Sequence, residues 1–582
     1  MASVYGKTIN GQTYYYLREV ARVNGKPKIV SQRYLGKAED IAAAMDAAAV
    51  LPARTRHLAF GDVAAVWSVL TRLDVAGVID ETLGPRRTDA AASVGTYLAL
   101  AILNRVVAPC SKAKFEQWWS TTAADRWVKI PSSALDHRRF WDAMDTLDQD
   151  ILTRIEARLT ATMVTEYGLD LSALALDMTN FATFIDSGND KAPIAQRGHA
   201  KQKRVDLRLV GLGLVVTRDG GIPVLSHPYP GNKPDVTQFP AMIKELAARY
   251  TQLRHDTIPS ADTSPGTDPD TSAGTGLGPG LTVVFDAGQN SASNFADLAD
   301  AGLHFVGSLP PSDHRDLLAV PARRRRPVDP QRYPGLSAYE TRAVALGADR
   351  RVILTHSPTL HAAQTRGFDQ TLAKATRALD ELAATLARGR TRRPKPAVQA
   401  AIEAITKDRW VTRVLSTDLT GDTPDQLRLT FTTDPAARRA LEAEVFGKRI
   451  LVTNRHDWPI TDVVAAYRSQ SEAESGFRQL KDPHLLGFSP MFHWTDSKIR
   501  VHLFTCVLAL TVAHLMRRQA DHAGLHLSVR ELLASLARIQ ETVLLYPSTG
   551  GRPKARRVLT DHDATAAQLA GIFGVDAYAP RP

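Results

Sequence analysis

Apolar residues recur at helical spacing through the first third of the chain. Val63, Val66, Leu70 and Leu73 form one stripe, and residues 97–107 carry another. Positions three and four apart share one side of a helix, so this spacing predicts a helical region over residues 46–165.

Near Ala173 the pattern changes to short apolar runs, each flanked by residues that favour turns. These runs predict strands at residues 174–176, 207–216, 222–225, 281–285 and 304–306. Helical spacing predicts intervening helices over 236–250 and 292–298. Strands followed by alternating strands and helices predict a multidomain α/β protein with a mixed sheet in residues 166–309.

Other segments complete the expected organisation. Residues 258–280 are almost entirely Ser, Thr, Asp, Pro and Gly, which predicts a disordered insert because such a segment buries little apolar surface. The alternation stops over 310–449, which predicts an insertion domain containing strands. It resumes over 450–545 with a strand, a helix beginning near Thr461 and two apolar helices. Residues 546–582 are expected to form a tail.

Residues 1–45 contain two strand-like runs joined by Val23-Asn24-Gly25-Lys26-Pro27. The Asn-Gly pair favours a β-hairpin because both residues tolerate positive φ. Basic side chains follow the predicted ribbon: Arg18, Arg22, Lys26, Lys28, Arg33 and Lys37. Two interpretations stay open, a surface that follows a phosphate backbone and a merely solvated hairpin face.

The overall charge narrows the possible partners. The 582 residues include 72 Lys and Arg against 61 Asp and Glu, a formal net charge of +11. This surplus favours a polyanionic partner, either nucleic acid or an anionic membrane face. The predicted helical region is therefore a candidate for binding DNA. With 44% hydrophobic and 23% charged residues, the composition excludes a disordered or collagen-like chain.

Cysteine usage and hydropathy indicate the compartment. Cys110 and Cys506 are the two cysteines, too few for a disulfide framework or a cysteine-based zinc site. The N-terminal residues lack a signal-peptide core, and polar residues interrupt the best apolar run, 501–516, before it reaches the length of a membrane span. A soluble, cytoplasmic protein is expected.

Two aspartates follow predicted strands directly. Asp177 comes after Leu174-Ala175-Leu176, and Asp286 comes after Val283-Val284-Phe285. Ligands of α/β sheets bind where strands end, because the strand holds the side chain while the crevice stays open. Carboxylates placed there are suitable ligands for Mg²⁺, a hard ion that takes oxygen donors.

A third acid, Glu474, lies on a predicted helix. Seven residues bring a helix back to within about 20° of its starting direction, so Tyr467, Glu474 and Lys481 share one face with Gln470. Glu472 lies about 200° away and is expected to point elsewhere. Taken singly, each of the three acids reads as a cap or a solvated residue. Their combination in a basic chain favours a functional site.

These residues carry a resemblance to a known family. The chain resembles the DDE transposases of bacterial insertion sequences, in particular the IS-four superfamily, whose signature is Tyr-x2-Arg-x3-Glu-x6-Lys. Tyr467, Glu474 and Lys481 match this spacing, and Gln470 stands at the arginine position. The resemblance also covers residues 197–204 and a set of short motifs: Pro230-Gly-Asn232, Phe285-Asp-Ala-Gly and Val452-Thr-Asn454.

The resemblance implies a ribonuclease-H-like core with a large β-containing insertion. It implies that Asp177, Asp286 and Glu474 form a catalytic triad that binds two Mg²⁺ ions, with Mn²⁺ able to substitute. It further implies that Lys481 and Tyr467 contact DNA near a terminal phosphate. Four basic residues lie in the polar link between Asp177 and the next strand, where contact with the DNA backbone is the favoured interpretation and a solvated turn stays open: Arg197, Lys201, Lys203 and Arg204. A neutral amide at Gln470 would grip phosphate more weakly than a guanidinium.

The implied activity is DNA cleavage and strand transfer at the terminal inverted repeats of the element, with insertion into target DNA. The implied assembly is a homodimer in a synaptic complex, associated with the nucleoid. Two alternatives stay open. One is a ribonuclease-H-like nuclease that cuts without joining. The other is a catalytically inactive protein that binds DNA as a repressor or an architectural element.

Overall fold

The computed structural model describes residues 2–23, 26–49, 52–84, 91–198, 206–257, 280–389, 393–547 and 554–581. The chain divides into two compact units. The smaller unit comprises Met1–Ser68, Lys114–Pro131 and Arg530–Pro582, and the larger comprises Val69–Ala113 and Ser132–Val529.

The helices of both units are numbered in chain order. They are α1 (Ala38–Ala49), α2 (Gly61–Arg72), α3 (Val75–Leu83), α4 (Val94–Val107), α5 (Phe115–Trp119), α6 (His137–Met144), α7 (Gln149–Tyr167), α8 (Asp235–Thr257), α9 (Ala292–Asp300), α10 (Arg315–Leu318), α11 (Pro358–Ala387), α12 (Lys395–Thr406), α13 (Val411–Val414), α14 (Pro435–Val445), α15 (Ile460–Arg468), α16 (Gln470–Lys481), α17 (Asp496–His522), α18 (Val529–Leu536) and α19 (Ala564–Phe573).

The strands are numbered in the same way. They are β1 (Ala2–Ile9), β2 (Gln12–Val23), β3 (Lys26–Lys37), β4 (Arg54–Ala59), β5 (Ala173–Thr183), β6 (Arg208–Thr217), β7 (Pro223–Pro230), β8 (Thr282–Val284), β9 (His304–Leu309), β10 (Arg326–Pro327), β11 (Ser337–Ala345), β12 (Ala348–His356), β13 (Leu415–Thr420), β14 (Arg428–Thr433), β15 (Lys448–Thr453), β16 (Gln540–Leu545) and β17 (Ala555–Leu559).

The smaller unit contains an antiparallel sheet of β1, β2 and β3. The sequence predicts the β2–β3 hairpin, whereas β1 was not predicted; its residues pair along the whole strand, from Ala2 opposite Glu19 to Ile9 opposite Gln12. The Asn24-Gly25 turn lies outside the described residues. The described parts of this sheet are largely solvent-exposed, and exposed apolar side chains such as Val4 and Ile29 lie among its basic residues.

A second sheet of the smaller unit joins the two ends of the chain. β16 pairs antiparallel with β4 on one side and with β17 on the other. The sequence placed residues 54–59 in the helical region and 546–582 in a tail, so β4, β17 and α19 were not predicted. The β4 residues Arg-Thr-Arg-His-Leu-Ala carry no apolar run, and their pairing is formed with a segment almost 500 residues away.

The larger unit is built on a mixed sheet that has nine strands in the described residues, in the order β10-β11-β12-β15-β9-β8-β5-β6-β7. β5, β6 and β7 are antiparallel, and β5, β8 and β9 are parallel. β15 then pairs antiparallel with β9 and with β12. The predicted mixed α/β, multidomain class is confirmed.

The two faces of β5 have different neighbours. Met178 packs beside Gly213, where an added Cβ would lie 2.3 Å from the Met242 sulfur of α8, so this face is closed by α8. Asp177 and Thr179 alternate with Met178 and therefore point to the opposite face. We call this second face the acid face. α16 crosses it, because Lys481 hydrogen-bonds Thr179.

The expected insertion, 310–449, is more closely joined to the core than the sequence suggests. β10, β11 and β12 belong to the same nine-stranded sheet, while β13 and β14 form a separate two-stranded sheet among α11–α14. The run 411–415, which reads as a strand, begins with the short helix α13. Of the expected disordered insert, residues 258–279 lie outside the described residues.

One helix in the described part of the chain is long and apolar enough to cross a membrane. This helix is α17, and 94% of its most apolar window is buried inside the protein. Its side chains form much of the core of the larger unit, from Ile499 to Met516.

Candidate active site

Asp177 and Asp286 lie on adjacent parallel strands. β5 and β8 are in register at Ala175 and Val284, so two further residues bring Asp177 level with Asp286. Both residues then lie on the acid face, because positions two apart share one side of a strand. Neighbouring strands are about 4.8 Å apart. The pairing itself ends at Ala175 and Val284, and extending its register by two residues directs both carboxylates to one side of the sheet.

The strand that carries Asp177 is longer than the sequence suggests. β5 continues to Thr183, so Asp177 lies within the strand rather than at its end. The prediction of a strand end was wrong because Thr179, Asn180 and Thr183 interrupt the apolar run without ending the pairing with β6. Asp177 nevertheless lies two residues beyond Ala175, the last residue of β5 that pairs with β8.

Hydrogen bonds fix the orientation and charge of Asp286. Its Oδ1 accepts from the Ser308 hydroxyl at 2.7 Å and from the Tyr467 hydroxyl at 3.1 Å. Desolvation alone would raise the pKa of this carboxyl. The donors Ser308, the Ala287 N–H and Tyr467, together with the Arg449 charge, outweigh it and hold the pKa below its ordinary value. Asp286 is therefore ionised near neutral pH while its residue remains solvent-exposed.

Tyr467 is buried against this site. Burial, opposed by the Arg449 charge and reinforced by Asp286, raises the pKa of Tyr467 to about 12. The Arg449 guanidinium lies 5.0 Å from the centre of the Tyr467 ring. Tyr467 is thus a neutral phenol that donates to Asp286, and it is only 6% exposed. Its expected contact with DNA stays a prediction.

The helix that was predicted to run from Thr461 through Lys481 is broken. α15 ends at Arg468 and α16 begins at Gln470, so the prediction of one continuous helix was wrong. At the break, the Ser469 hydroxyl donates to the Ala466 carbonyl at 2.6 Å, and serine side chains bonded in this way compete with the helical backbone.

Gln470 attaches the start of α16 to β5. Its amide nitrogen donates to the Leu176 carbonyl at 2.9 Å, and the residue is 7% exposed. Its amide oxygen is buried and has no hydrogen-bond partner among the residues that the structure describes. The signature position that the sequence associates with phosphate therefore holds a buried amide in contact with the strand beside Asp177.

Lys481 attaches the end of α16 to the same strand. Its ammonium donates to the Thr179 hydroxyl at 2.6 Å and lies 5.4 Å from the centre of the Phe181 ring. Thr179 is two residues after Asp177 and shares its face. The two contacts of α16, at Leu176 and Thr179, therefore lie on either side of Asp177.

Glu474 lies between these two attachments. It is four residues after Gln470 and seven before Lys481, so the three share one side of the helix, the side toward β5. The Glu474 residue is exposed, and among the described residues its carboxylate forms no hydrogen bond or ion pair. Glu472 instead pairs with Arg517 of α17 at 2.7 Å, pointing away from β5.

The donor chemistry of this face suits Mg²⁺, since Asp177, Asp286 and Glu474 all offer carboxylate oxygens. Within the described ranges, however, no group of three or more His, Cys, Asp or Glu side chains is arranged to hold a metal ion. The strand register directs the two aspartates to the same face, and α16 carries Glu474 across it, but within the described residues the three carboxylates do not form a closed ligand set.

The basic link after β5 is described only in part. Arg197 is exposed, and the neighbouring Gly198 lies against Gly231 and Asn232, at the end of β7. β7 runs in the same direction as β5. This link therefore lies at the end of the sheet where both strands finish. Lys201, Lys203 and Arg204 lie outside the described residues.

Several residues that shape the acid face were missed. Ser308 and Arg449 flank Asp286, and Thr179 receives Lys481. On the opposite face, which α8 closes, Asp235, the first residue of α8, accepts from the Tyr229 hydroxyl at 2.7 Å. Burial, then this hydrogen bond and the charges of Asp235 and Asp177, raise the pKa of Tyr229. An alternating polar position in a short strand, as at Ser308, is the signal that sequence reading could have used.

Comparison with known proteins finds a distant structural likeness. No family model matches the sequence, and no curated protein matches it. Among solved structures, the chain is similar to a chain of the cryo-EM structure of a piggyBac transposase synaptic complex with hairpin DNA. The two share 9% identity with a TM-score of 0.35, and the match covers 81% of this chain and 79% of that one. A likeness at this level does not assign the chain to a family.

Proposed function

We propose that this chain is a DNA transposase of the DDE type, which cuts DNA at the terminal inverted repeats of its element and joins the ends to target DNA. One observation carries the proposal. β5 and β8 pair in register up to Ala175 and Val284, so that Asp177 and Asp286, each two residues further on, would share one sheet face, and α16 crosses that face with Glu474 between its attachments to β5.

The same residues would hold the metal. Asp177, Asp286 and Glu474 provide oxygen donors for two Mg²⁺ ions, with Mn²⁺ able to substitute. Bound there, such a pair supplies electrostatic activation of the attacking and leaving oxygens in an in-line displacement at a phosphodiester. Cleavage and joining then use one site, because the arrangement is symmetric toward both oxygens.

The protein's own groups prepare this face. Ser308 and Tyr467 orient the Asp286 carboxylate and keep it ionised, so it needs no deprotonation before use. Lys481, held by Thr179 on the same face, presents a cation where a phosphate would enter. The proposed DNA contacts are those the resemblance implies: Lys481, Tyr467, Arg197, Lys201, Lys203 and Arg204. The net charge of +11 supports a polyanionic substrate.

The proposal extends to fold and assembly. β5–β9 would form a ribonuclease-H-like core, and residues 310–449 would be inserted between β9 and β15. The antiparallel β5-β6-β7 and parallel β5-β8-β9 arrangement supports this. Residues 46–165 would contact the terminal repeats, and two copies would pair the ends in a synaptic complex. A DNA substrate places this activity in the cytoplasm, at the nucleoid.

The test uses the purified full-length protein, Mg²⁺ and a supercoiled plasmid carrying the coding region with its natural flanking DNA. We expect nicking at the element ends and joined products with target DNA. Asp177→Asn, Asp286→Asn and Glu474→Gln should each reduce nicking at least about a hundredfold, as loss of one catalytic electrostatic group does. Binding to the same DNA should persist.

Glu472→Gln is the matched control. It makes the same chemical change two residues from Glu474, on a side chain paired with Arg517, and it should leave nicking nearly unchanged. Binding without nicking by the wild type would favour an inactive DNA-binding protein. Nicking without joined products would favour a nuclease, and an inactive Glu472→Gln variant would contradict the assigned role of Glu474.

A further inference from the structure

A cavity of about 470 Å³ lies where the chain leaves β9, apart from the acid face. Residues 315–325 form one side, and the segment from α14 into β15 forms the other, ending at Lys448. Lys448 is opposite His356 in the β12–β15 register. The next residue, Arg449, lies over Tyr467 of the candidate active site. Successive strand residues point to opposite faces, so the cavity is across the sheet from the acids.

The lining of this cavity is strongly positive. Arg315, Arg325 and Lys448 contribute three cations, and Glu444 is the carboxylate that lines it. Glu444 is already paired with Arg413 at 2.5 Å. Lys448 donates to two neutral acceptors, the backbone carbonyls of residues 318 and 443, at 2.6 and 2.8 Å. Glu444 offsets part of this charge, and the lining keeps a net positive charge because three cations face one carboxylate.

Arg325 is the most informative residue of the cavity. Its Nε and Nη1 atoms are buried and have no hydrogen-bond partner in the described part of the chain. Buried donors are rarely left unpaired in native proteins, and an ordered water or a bound ligand can supply the missing acceptor. Burial also lowers the pKa of the Arg325 guanidinium; burial and the Arg325 charge lower that of Lys448.

We infer that this cavity binds a phosphate group carried on an organic molecule. A guanidinium offers paired donors that match phosphate oxygens, and Lys448 and Arg315 add charge on the same ligand. The cavity has room for more than a phosphate group, and Leu318, Val320 and Pro321 give it an apolar wall for the remainder. A free nucleotide and a polynucleotide backbone offer the same chemistry.

The test measures binding to the full-length protein by fluorescence anisotropy, with a labelled nucleoside 5′-monophosphate and a labelled short duplex as separate probes. Arg325→Gln should weaken binding of at least one probe about tenfold or more. Arg323→Gln is the matched control, because Arg323 is exposed and does not line the cavity. Arg315→Gln, a change at an exposed residue that leaves folding intact, should weaken the same probe several-fold.

The outcomes separate the two sources of phosphate. If Arg325→Gln and Arg315→Gln weaken binding of the mononucleotide, the natural ligand is a free phosphate ester. If they weaken binding of the duplex alone, the ligand is a polynucleotide backbone. Inorganic phosphate should compete with the bound probe, and the variants that weaken probe binding should weaken this competition as well. Equal binding by wild type, Arg325→Gln and Arg315→Gln, or binding of neither probe, overturns the inference. Asp177→Asn should leave this binding unchanged, so the result is independent of the proposed catalytic function.

Discussion

Asp286 and Glu474 belong to the same face of one sheet, and the structure holds them in opposite ways. Asp286 follows a buried strand, and hydrogen bonds from Ser308 and Tyr467 fix its carboxylate. Glu474 is exposed on a helix, and no described residue binds its carboxylate. Its position is set by Gln470 and Lys481, the two residues that attach α16 to β5.

The difference separates two sources of geometry in the site. Backbone pairing between β5 and β8 sets the relation of Asp177 to Asp286, and single side-chain changes alter it little. Side-chain hydrogen bonds at the two ends of α16 set the relation of Glu474 to that pair. The helix attachments are therefore the part of the site that mutation disturbs most easily.

The largest effect is expected at Gln470. Gln470→Arg, which restores the signature residue, places an unpaired guanidinium in a buried position and should reduce stability by about 3 kcal/mol or more. Gln470→Met is the matched neutral change, and it removes only the hydrogen bond to Leu176, at a cost of about 1 to 3 kcal/mol. Urea unfolding measures both.

The nicking rate gives the second measurement at this position. Both Gln470 variants should nick more slowly than the wild type, because α16 is no longer fixed beside Asp177. If Gln470→Arg is instead as stable as the wild type and nicks faster, position 470 faces the DNA and the attachment role is wrong.

The next effect is at the other end of α16. Lys481→Met should reduce nicking about tenfold, because it removes both the contact with Thr179 and the cation proposed to meet phosphate. Thr179→Val removes the contact and keeps the cation. If Lys481 also contacts DNA, only Lys481→Met should weaken DNA binding in a filter-binding assay. Equal losses of DNA binding in Lys481→Met and Thr179→Val would show that Lys481 serves only to position the helix.

The smallest effect is expected at Asp286, the acid that follows β8. The folded-state pKa of Asp286 is below its ordinary value, so its interactions stabilise the fold above the unfolded-state pKa. That contribution disappears as pH falls through the folded-state pKa. Tyr467→Phe removes one donor and should raise the pKa of Asp286. The variant should therefore melt below the wild type at neutral pH.

The difference in melting temperature between the wild type and Tyr467→Phe should narrow as the solution becomes acidic enough to protonate Asp286 in both proteins. Thermal unfolding of the two proteins across the acid range measures it. A difference between them that stays constant with pH would show that Tyr467 stabilises the protein through packing alone.

The sequence predicts those parts of the site that depend on local patterns. Apolar runs mark β8 and β9, and the helical phase separates Glu474 from Glu472, which pairs with Arg517. Features that depend on tertiary contacts are not accessible in this way. The β4–β16 pairing joins the mostly polar residues 54–59 to residues 540–545, which are distant in sequence.

The break at Ser469 shows the same limit at short range. Helical spacing alone continues through it, whereas the hydrogen bond from Gln470 to a strand carbonyl redirects the chain. The extension of β5 to Thr183 likewise depends on its partner β6 rather than on its own apolar content.

Iron-directed cleavage tests whether Asp177, Asp286 and Glu474 bind metal ions at one site. Fe²⁺ replaces Mg²⁺ in the full-length protein, ascorbate and peroxide then generate hydroxyl radicals at the bound ion, and mass spectrometry locates the backbone cuts. We expect cuts grouped around Asp177, Asp286 and Glu474, which excess Mg²⁺ suppresses and Asp177→Asn abolishes. Cuts near the two aspartates without cuts in α16, or cuts that Asp177→Asn does not change, would contradict it.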